Sequence, residues 1–233
     1  TPGTTFDAEH VAAFMLSVVK DGADDTGGMG RIVVDNLNAY SVMSRTVPME
    51  SLTPITHAFA TTRAAQWLAS QQRATGLLKS WAEESMCAAH TYDQALALIV
   101  FSREGMKTEA ESLAEALARA QNADGSWFKS YDCDKGDLPC VHCHKWEGDI
   151  AWAVYALSRY LALGGTHLEA RATMDKGAAW LADRIAPDGC LSIDHTEGTL
   201  DAWWAMQAAG SGYRDEAQQL RDCLLNFYWD EAM

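Results

Sequence analysis

The sequence predicts an all-α fold of repeated helical hairpins, an α/α toroid or a helical solenoid, incomplete at about eight helices. Two observations carry this reading. First, three stretches align without a gap: 65–78 (AQWLASQQRATGLL), 114–127 (AEALARAQNADGSW) and 178–191 (AAWLADRIAPDGCL). Each has a leucine eight residues before a glycine (Leu68, Leu117, Leu181) and a large apolar residue two after it (Leu78, Trp127, Leu191). A repeat at about fifty-residue spacing means copies of one supersecondary unit that stack or close on themselves. Second, the helical segments alternate between amphipathic and nearly all-apolar, as outer and buried inner helices do, and no strand period stands out.

In chain order, residues 7–20 have helical apolar spacing, 32–34 could be briefly extended, 36–43 form a second helix, and 45–54 is irregular with prolines at 48 and 54. Helical spacing returns over 57–72 and breaks at Gly76. Thr91 and Gln94 fit a capping box that opens an apolar helix stopping at Gly105. Thr108 and Glu111 fit another, opening an amphipathic helix to Gln121. Apolar 150–163, amphipathic 167–185, apolar 200–209 and a last helix at 213–228 complete the alternation. The whole reads as one α/α-hairpin domain over 1–233, with the repeats at 55–233 and residues 1–54 before them.

A second register accompanies the first. After each repeated glycine an apolar helix begins on aspartate: Asp93, Asp149 and Asp201, with Asn36 opening a degenerate fourth copy. The glycine-to-aspartate intervals are 17, 24 and 12 residues, and the longest holds a loop with three cysteines. That loop is an insertion on a regular scaffold, and insertions in repeat folds gather on one face.

The composition is that of an ordinary globular chain, 48% hydrophobic and 21% charged. No apolar run reaches the ~18–20 residues of a membrane span. A formal charge of −14 argues against a nucleic-acid partner, whose phosphates require Lys and Arg. No G-x-S-x-G elbow or phosphate-cradling loop is present.

The segments 91–101 (TYDQALALIVF), 121–132 (QNADGSWFKSYD), 146–157 (WEGDIAWAVYAL) and 196–210 (TEGTLDAWWAMQAAG) resemble the six-hairpin, α/α-toroid glycosidase-like proteins. QNADGSW is also similar to the Q-x-x-x-G-x-W repeat of terpenoid cyclases. The resemblance implies a carbohydrate partner and acid/base carboxylates. It places Glu197 at the acidic position of a T-E-x-x-x-D segment and Asp132 at the end of an S-Y-D segment. A complete six-hairpin ring needs about twelve helices, so a second chain could complete this one. A cyclase-like activity is the weaker implication, since no D-x-D-D or D-D-x-x-D motif is present.

Candidate catalytic acids are therefore Asp132, Asp149, Glu197, Asp201 and Asp93. Glycoside hydrolysis takes two carboxyls, about 5–5.5 Å apart for retention or about 6.5–9.5 Å for inversion. The plain alternative is that an aspartate in a helix's first turn complements the helix dipole. Trp81, Tyr92, Trp127, Tyr131, Trp146 and Trp203 are candidates for stacking on sugar, with core packing the alternative, which is favoured for Trp67 and Trp180.

Cys140, Cys143 and His144 satisfy the C-x-x-C-H pattern of c-type haem attachment. The same loop could instead hold Zn²⁺ through Cys133, Cys140, Cys143 and either His142 or His144, or be stapled by pairing Cys133 with Cys140 or Cys143. A haem-carrying or zinc-stapled binding subunit is thus the non-enzymatic alternative. Haem or a disulfide each implies an oxidising compartment, hence a secreted or periplasmic protein. Cys87, Cys190 and Cys223 read as buried thiols or one distant disulfide.

Overall fold

The computed structural model describes residues 57–81, 86–191 and 196–228. The helices expected at 7–20 and 36–43, the extended 32–34, the degenerate repeat at Asn36 and the irregular 45–54 lie outside the described residues. Contacts divide the chain into two units, Thr1–Thr61 and Thr62–Met233.

The helices are α1 (His57–Ser70), α2 (Thr91–Arg103), α3 (Lys107–Ala120), α4 (Glu147–Ala162), α5 (Ala170–Ala182), α6 (Thr196–Ala209) and α7 (Arg214–Cys223). A π-helical turn, Leu224–Tyr228, continues α7. Helices α2, α4 and α6 pack side by side as one layer, and each packs on the helix that follows it, α3, α5 or α7. This is the two-layer hairpin arrangement of an α/α toroid. The apolar, all-round pattern of α4 puts Ile150, Val154 and Leu157 fully inside, while the amphipathic α3 buries only its Leu113, Ala114 and Leu117 face.

The repeat has a common backbone. In each copy the amide of the residue three before the glycine bonds the carbonyl one after it: Arg73 to Leu77, Asn122 to Ser126 and Ala186 to Cys190. The glycine amide returns a bond to that same residue in all three. Gly76, Gly125 and Gly189 have φ of 89°, 90° and 86°, the left-handed region that glycine alone enters cheaply. A β-carbon on them would collide with the carbonyl of Ser112 on α3, Lys176 on α5 and Gln219 on α7, respectively. Each glycine turn therefore seats itself on the next outer helix. Leu78, Trp127 and Leu191 then drop into the core.

Gln72 and Gln121, four residues before their glycines, fasten the same joint. Their amides donate to the glycine carbonyl and to Glu109 or Thr173 at the start of the next outer helix. The Trp127 indole N–H donates to Leu117 O. The Q-x-x-x-G-x-W residues thus join one hairpin to the next.

Several local expectations give way to longer-range demands. Neither capping box forms: α2 and α3 have no side-chain cap. The Thr91 hydroxyl donates to Phe128 O, and Gln94 pairs with both the amide and the carbonyl of Leu78. Glu111 accepts from the Tyr160 and Thr166 hydroxyls. These polar groups join separate segments, which a sequence-local motif cannot express.

The loops between hairpins also pair into a small antiparallel sheet that no strand period announced. Its strands are β1 (Ala88–His90), β2 (Ser130–Asp132) and β3 (Cys140–His142), in the order β1-β2-β3. Trp180 is buried as expected, but Trp67, its counterpart in the repeat, is 58% exposed.

The cysteines form three disulfides: Cys87–Cys133, Cys140–Cys143 and Cys190–Cys223. This corrects the pairing of Cys133 with Cys140 or Cys143. It also corrects the haem and zinc readings. Thioether attachment and thiolate ligation both need reduced sulfur, and Cys133, Cys140 and Cys143 are all oxidised. Among the described residues no group of three His, Cys, Asp or Glu side chains is placed to hold a metal ion. The Ser130 hydroxyl and His142 Nδ1 instead lie 2.8 Å apart, and the His144 carbonyl accepts from the Lys129 amide.

Candidate functional site

The acids gather where the inner layer begins. Asp93 is the third residue of α2, and Asp149 the third of α4. Helix α6 starts at Thr196, earlier than the apolar run suggests, so Glu197 lies in its first turn and Asp201 a turn further on. Glu197 is therefore a helical residue and not a loop acid. All four carboxylates line one pocket of about 1000 Å³. Trp81, His90, Tyr92, Lys129, Lys145, Trp146, Glu147 and Gly148 contribute further walls.

Burial and mutual repulsion set the electrostatics. Asp149 is pushed up to about 6 by desolvation first, with Asp93, Asp201 and Glu197 adding to the rise and Lys129 opposing it. Asp201 is also raised to about 6, again by desolvation, with Glu197 reinforcing the shift and a hydrogen bond from Trp152 working against it. The same four acids, after burial itself, push the Tyr92 hydroxyl upward. A carboxyl held near 6 is half-protonated at about that pH and keeps a protonated fraction toward neutrality, which suits it to delivering and recovering a proton.

Gly148 and Gly198 face each other where α4 and α6 meet beside the acids. The position a β-carbon would take on Gly148 lies 3.4 Å from Asp201 Oδ2 and 4.0 Å from the Gly198 α-carbon. The residue immediately before Asp149 thus borders the Asp201 carboxylate. Opposite, Lys129 stands 4.5 Å over the Trp146 ring. Lys145 is held 2.6 Å from Asp124, in the repeat turn that also receives the Trp180 indole N–H. The pocket wall is therefore anchored to the hairpin scaffold.

The structure brings together Asp93, Asp149, Glu197 and Asp201 with Trp81, Tyr92 and Trp146, and Trp81 and Trp146 are about half exposed. It places the other expected residues elsewhere. Asp132 lies on β2, paired with Lys135 at 3.1 Å, and that hydrogen bond lowers its pKa. Trp127 is completely buried. Tyr131 is buried with its hydroxyl donating to Ala120 O. Trp203 packs against the core and does not line the pocket. Lys129, Lys145, Glu147 and Gly148 were not anticipated. The two lysines flank the sheet, which has no sequence signature, and reach the pocket through it.

An acid-lined pocket, walled by exposed aromatics, thus lies at the helix starts of an α/α toroid. Solved structures share this fold. UGL carrying a substitution, with dGlcA-Glc-Rha-Glc, aligns at a TM-score of 0.60 and 15% identity over 75% of this chain and 57% of its own. The unsaturated glucuronyl hydrolase of Bacillus sp. GL1, described as responsible for glycosaminoglycan degradation, aligns at 0.60 and 17% over 75% and 57%. An unsaturated glucuronyl hydrolase specific for heparin aligns at 0.62 and 14% over 74% and 56%. At these identities the likeness establishes the α/α-toroid fold class. The chain spans just over half the length of these proteins, 56–57%. No protein-family model matches the sequence, and no curated protein matches it.

Proposed function

We propose that the chain is a glycoside hydrolase acting on an acidic, uronyl-containing saccharide. The observation that carries this reading is Asp149, a desolvated carboxyl near pKa 6 inside a cluster of acids, faced by a single lysine charge from Lys129. In this reading Asp149 is the general acid that protonates the bridging oxygen. Asp201, bordered by Gly148 and supported by Trp152, is the carboxylate that activates water or steadies positive charge at the sugar. Trp81, Tyr92 and Trp146 offer faces for pyranose stacking, and Lys129, the lysine whose charge acts on Asp149, is the cation best placed to complement a uronate. The glucuronyl specificity named for the structural neighbours favours the same substrate class.

The three disulfides favour an oxidising, extracytoplasmic setting. No helix among the described residues is long and apolar enough to cross a membrane.

The test is hydrolysis of a panel of saturated and unsaturated uronyl oligosaccharides, followed by the reducing end released and, for unsaturated ends, by loss of their ultraviolet absorbance. Asp149→Asn and Asp201→Asn should each lower kcat by at least about 10²-fold while saccharide binding persists. Wild-type turnover in both variants would remove these residues from the chemistry.

A further inference from the structure

The C-x-x-C of the inserted loop differs from the other two disulfides in exposure, loop length and place in the fold. Cys87, Cys133, Cys190 and Cys223 are all buried, at 3%, 0%, 8% and 1% exposure. Cys140 is partly exposed and Cys143 exposed. The buried pairs tie residues 46 and 33 apart in sequence, whereas Cys140–Cys143 closes a separation of three. Closing so short a loop removes little freedom from the unfolded chain, so the fold depends on this link least. It also sits at the sheet's edge. Cys140 opens β3, the outermost strand, where Ser130 pairs with His142 and Tyr131 with Cys140, leaving Val141 as a bulge between them.

We propose that Cys140–Cys143 is an exchangeable redox disulfide in the loop that leads into the pocket wall, and that its reaction partner is a dithiol reductant. The step is ordinary thiol–disulfide exchange. A thiolate of the dithiol attacks the accessible Cys143 sulfur and forms a mixed disulfide, and the Cys140–Cys143 bond breaks. The electron pair leaves on the Cys140 sulfur, which takes up a proton. The second thiol of the reductant then displaces Cys143, so two electrons pass to the protein and the reductant ends as its own disulfide. Exposed disulfides are the labile class, and buried ones resist because no nucleophile reaches them. From Cys143 the chain runs on within three residues to Lys145 and Trp146, which line the pocket. The proposal is independent of the reaction assigned to that pocket.

The experiment uses the intact oxidised chain, equilibrated across a series of reduced-to-oxidised dithiothreitol ratios, trapped with iodoacetamide and mapped by peptide mass spectrometry. Cys140 and Cys143 should be alkylated together at a ratio at least about tenfold less reducing than that needed for either other pair. A Cys140→Ser/Cys143→Ser chain should show the remaining two disulfides reduced at their wild-type ratios. Opening of Cys87–Cys133 or Cys190–Cys223 first, or of all three pairs in one step, would overturn the proposal.

Discussion

Gly148 leaves room for the carboxylate of Asp201: a β-carbon there would stand 3.4 Å from Asp201 Oδ2, at the closest ordinary van der Waals contact. Because Gly148 directly precedes Asp149, this contact sets the two raised carboxyls on the same pocket wall. Gly148→Ala should fold normally and press a methyl group against Asp201. A methyl group desolvates a carboxylate, so the Asp201 pKa should climb from about 6. We expect kcat to fall about three- to tenfold, with the acid limb of the pH–rate profile moved to higher pH.

The raised acids also make the site a stability cost at neutral pH. A carboxyl whose pKa rises on folding favours the folded state fully below the ordinary aspartate value, and that contribution is lost as pH climbs through about 6. Asp149→Asn should therefore stabilise the chain at pH 7.5 by about 2 kcal/mol. Asp201→Asn, whose carboxyl is more open to solvent, should gain about 1 kcal/mol after screening. Both gains should shrink through about pH 5 and vanish below about pH 3, as measured by urea denaturation across pH.

Lys129 tempers Asp149 by charge alone. Lys129→Met removes that charge, so the Asp149 pKa should move further above 6. Activity controlled by protonated Asp149 should then persist to higher pH. The KM for an acidic saccharide should rise about tenfold, with little change for a neutral one.

The repeat glycines should prove far less replaceable than other glycines of the same conformation. Gly125 has φ of 90° and faces the Lys176 carbonyl, while Gly105 has φ of 69° with nothing within 4 Å. Gly105→Ala should lose about 1 kcal/mol for the backbone alone. Gly125→Ala adds a collision with α5 and should lose about 3 kcal/mol or more. Equal losses in guanidinium denaturation would show that the interhelical approach is unimportant.

Gln94 is the buried amide that replaces an expected cap. Gln94→Ala leaves both backbone groups of Leu78 without their partner. Such a loss should lower stability by about 2–4 kcal/mol, visible as a reduced denaturation midpoint.

The sequence by itself determined the hairpin repeat, the alternation of buried and amphipathic helices, and the convergence of Asp93, Asp149 and Asp201 on one end of the inner layer. These follow from apolar periodicity and from glycines that only one backbone conformation suits, and both are local properties. Glu197 is a candidate through the family resemblance, and its place in the first turn of α6 follows from a helix that begins earlier than its apolar run. Tertiary structure alone decided the rest. It turned Thr91, Gln94 and Glu111 from caps into ties between segments, since a buried polar group takes whichever partner packing brings within reach. It paired Cys133 with Cys87, 46 residues away, leaving Cys140 and Cys143 to each other. It withdrew Asp132, Trp127 and Tyr131 from the pocket and supplied Lys129 and Lys145 through the three-stranded sheet. Distance between side chains remote in sequence is fixed by the closed fold, and no local pattern encodes it.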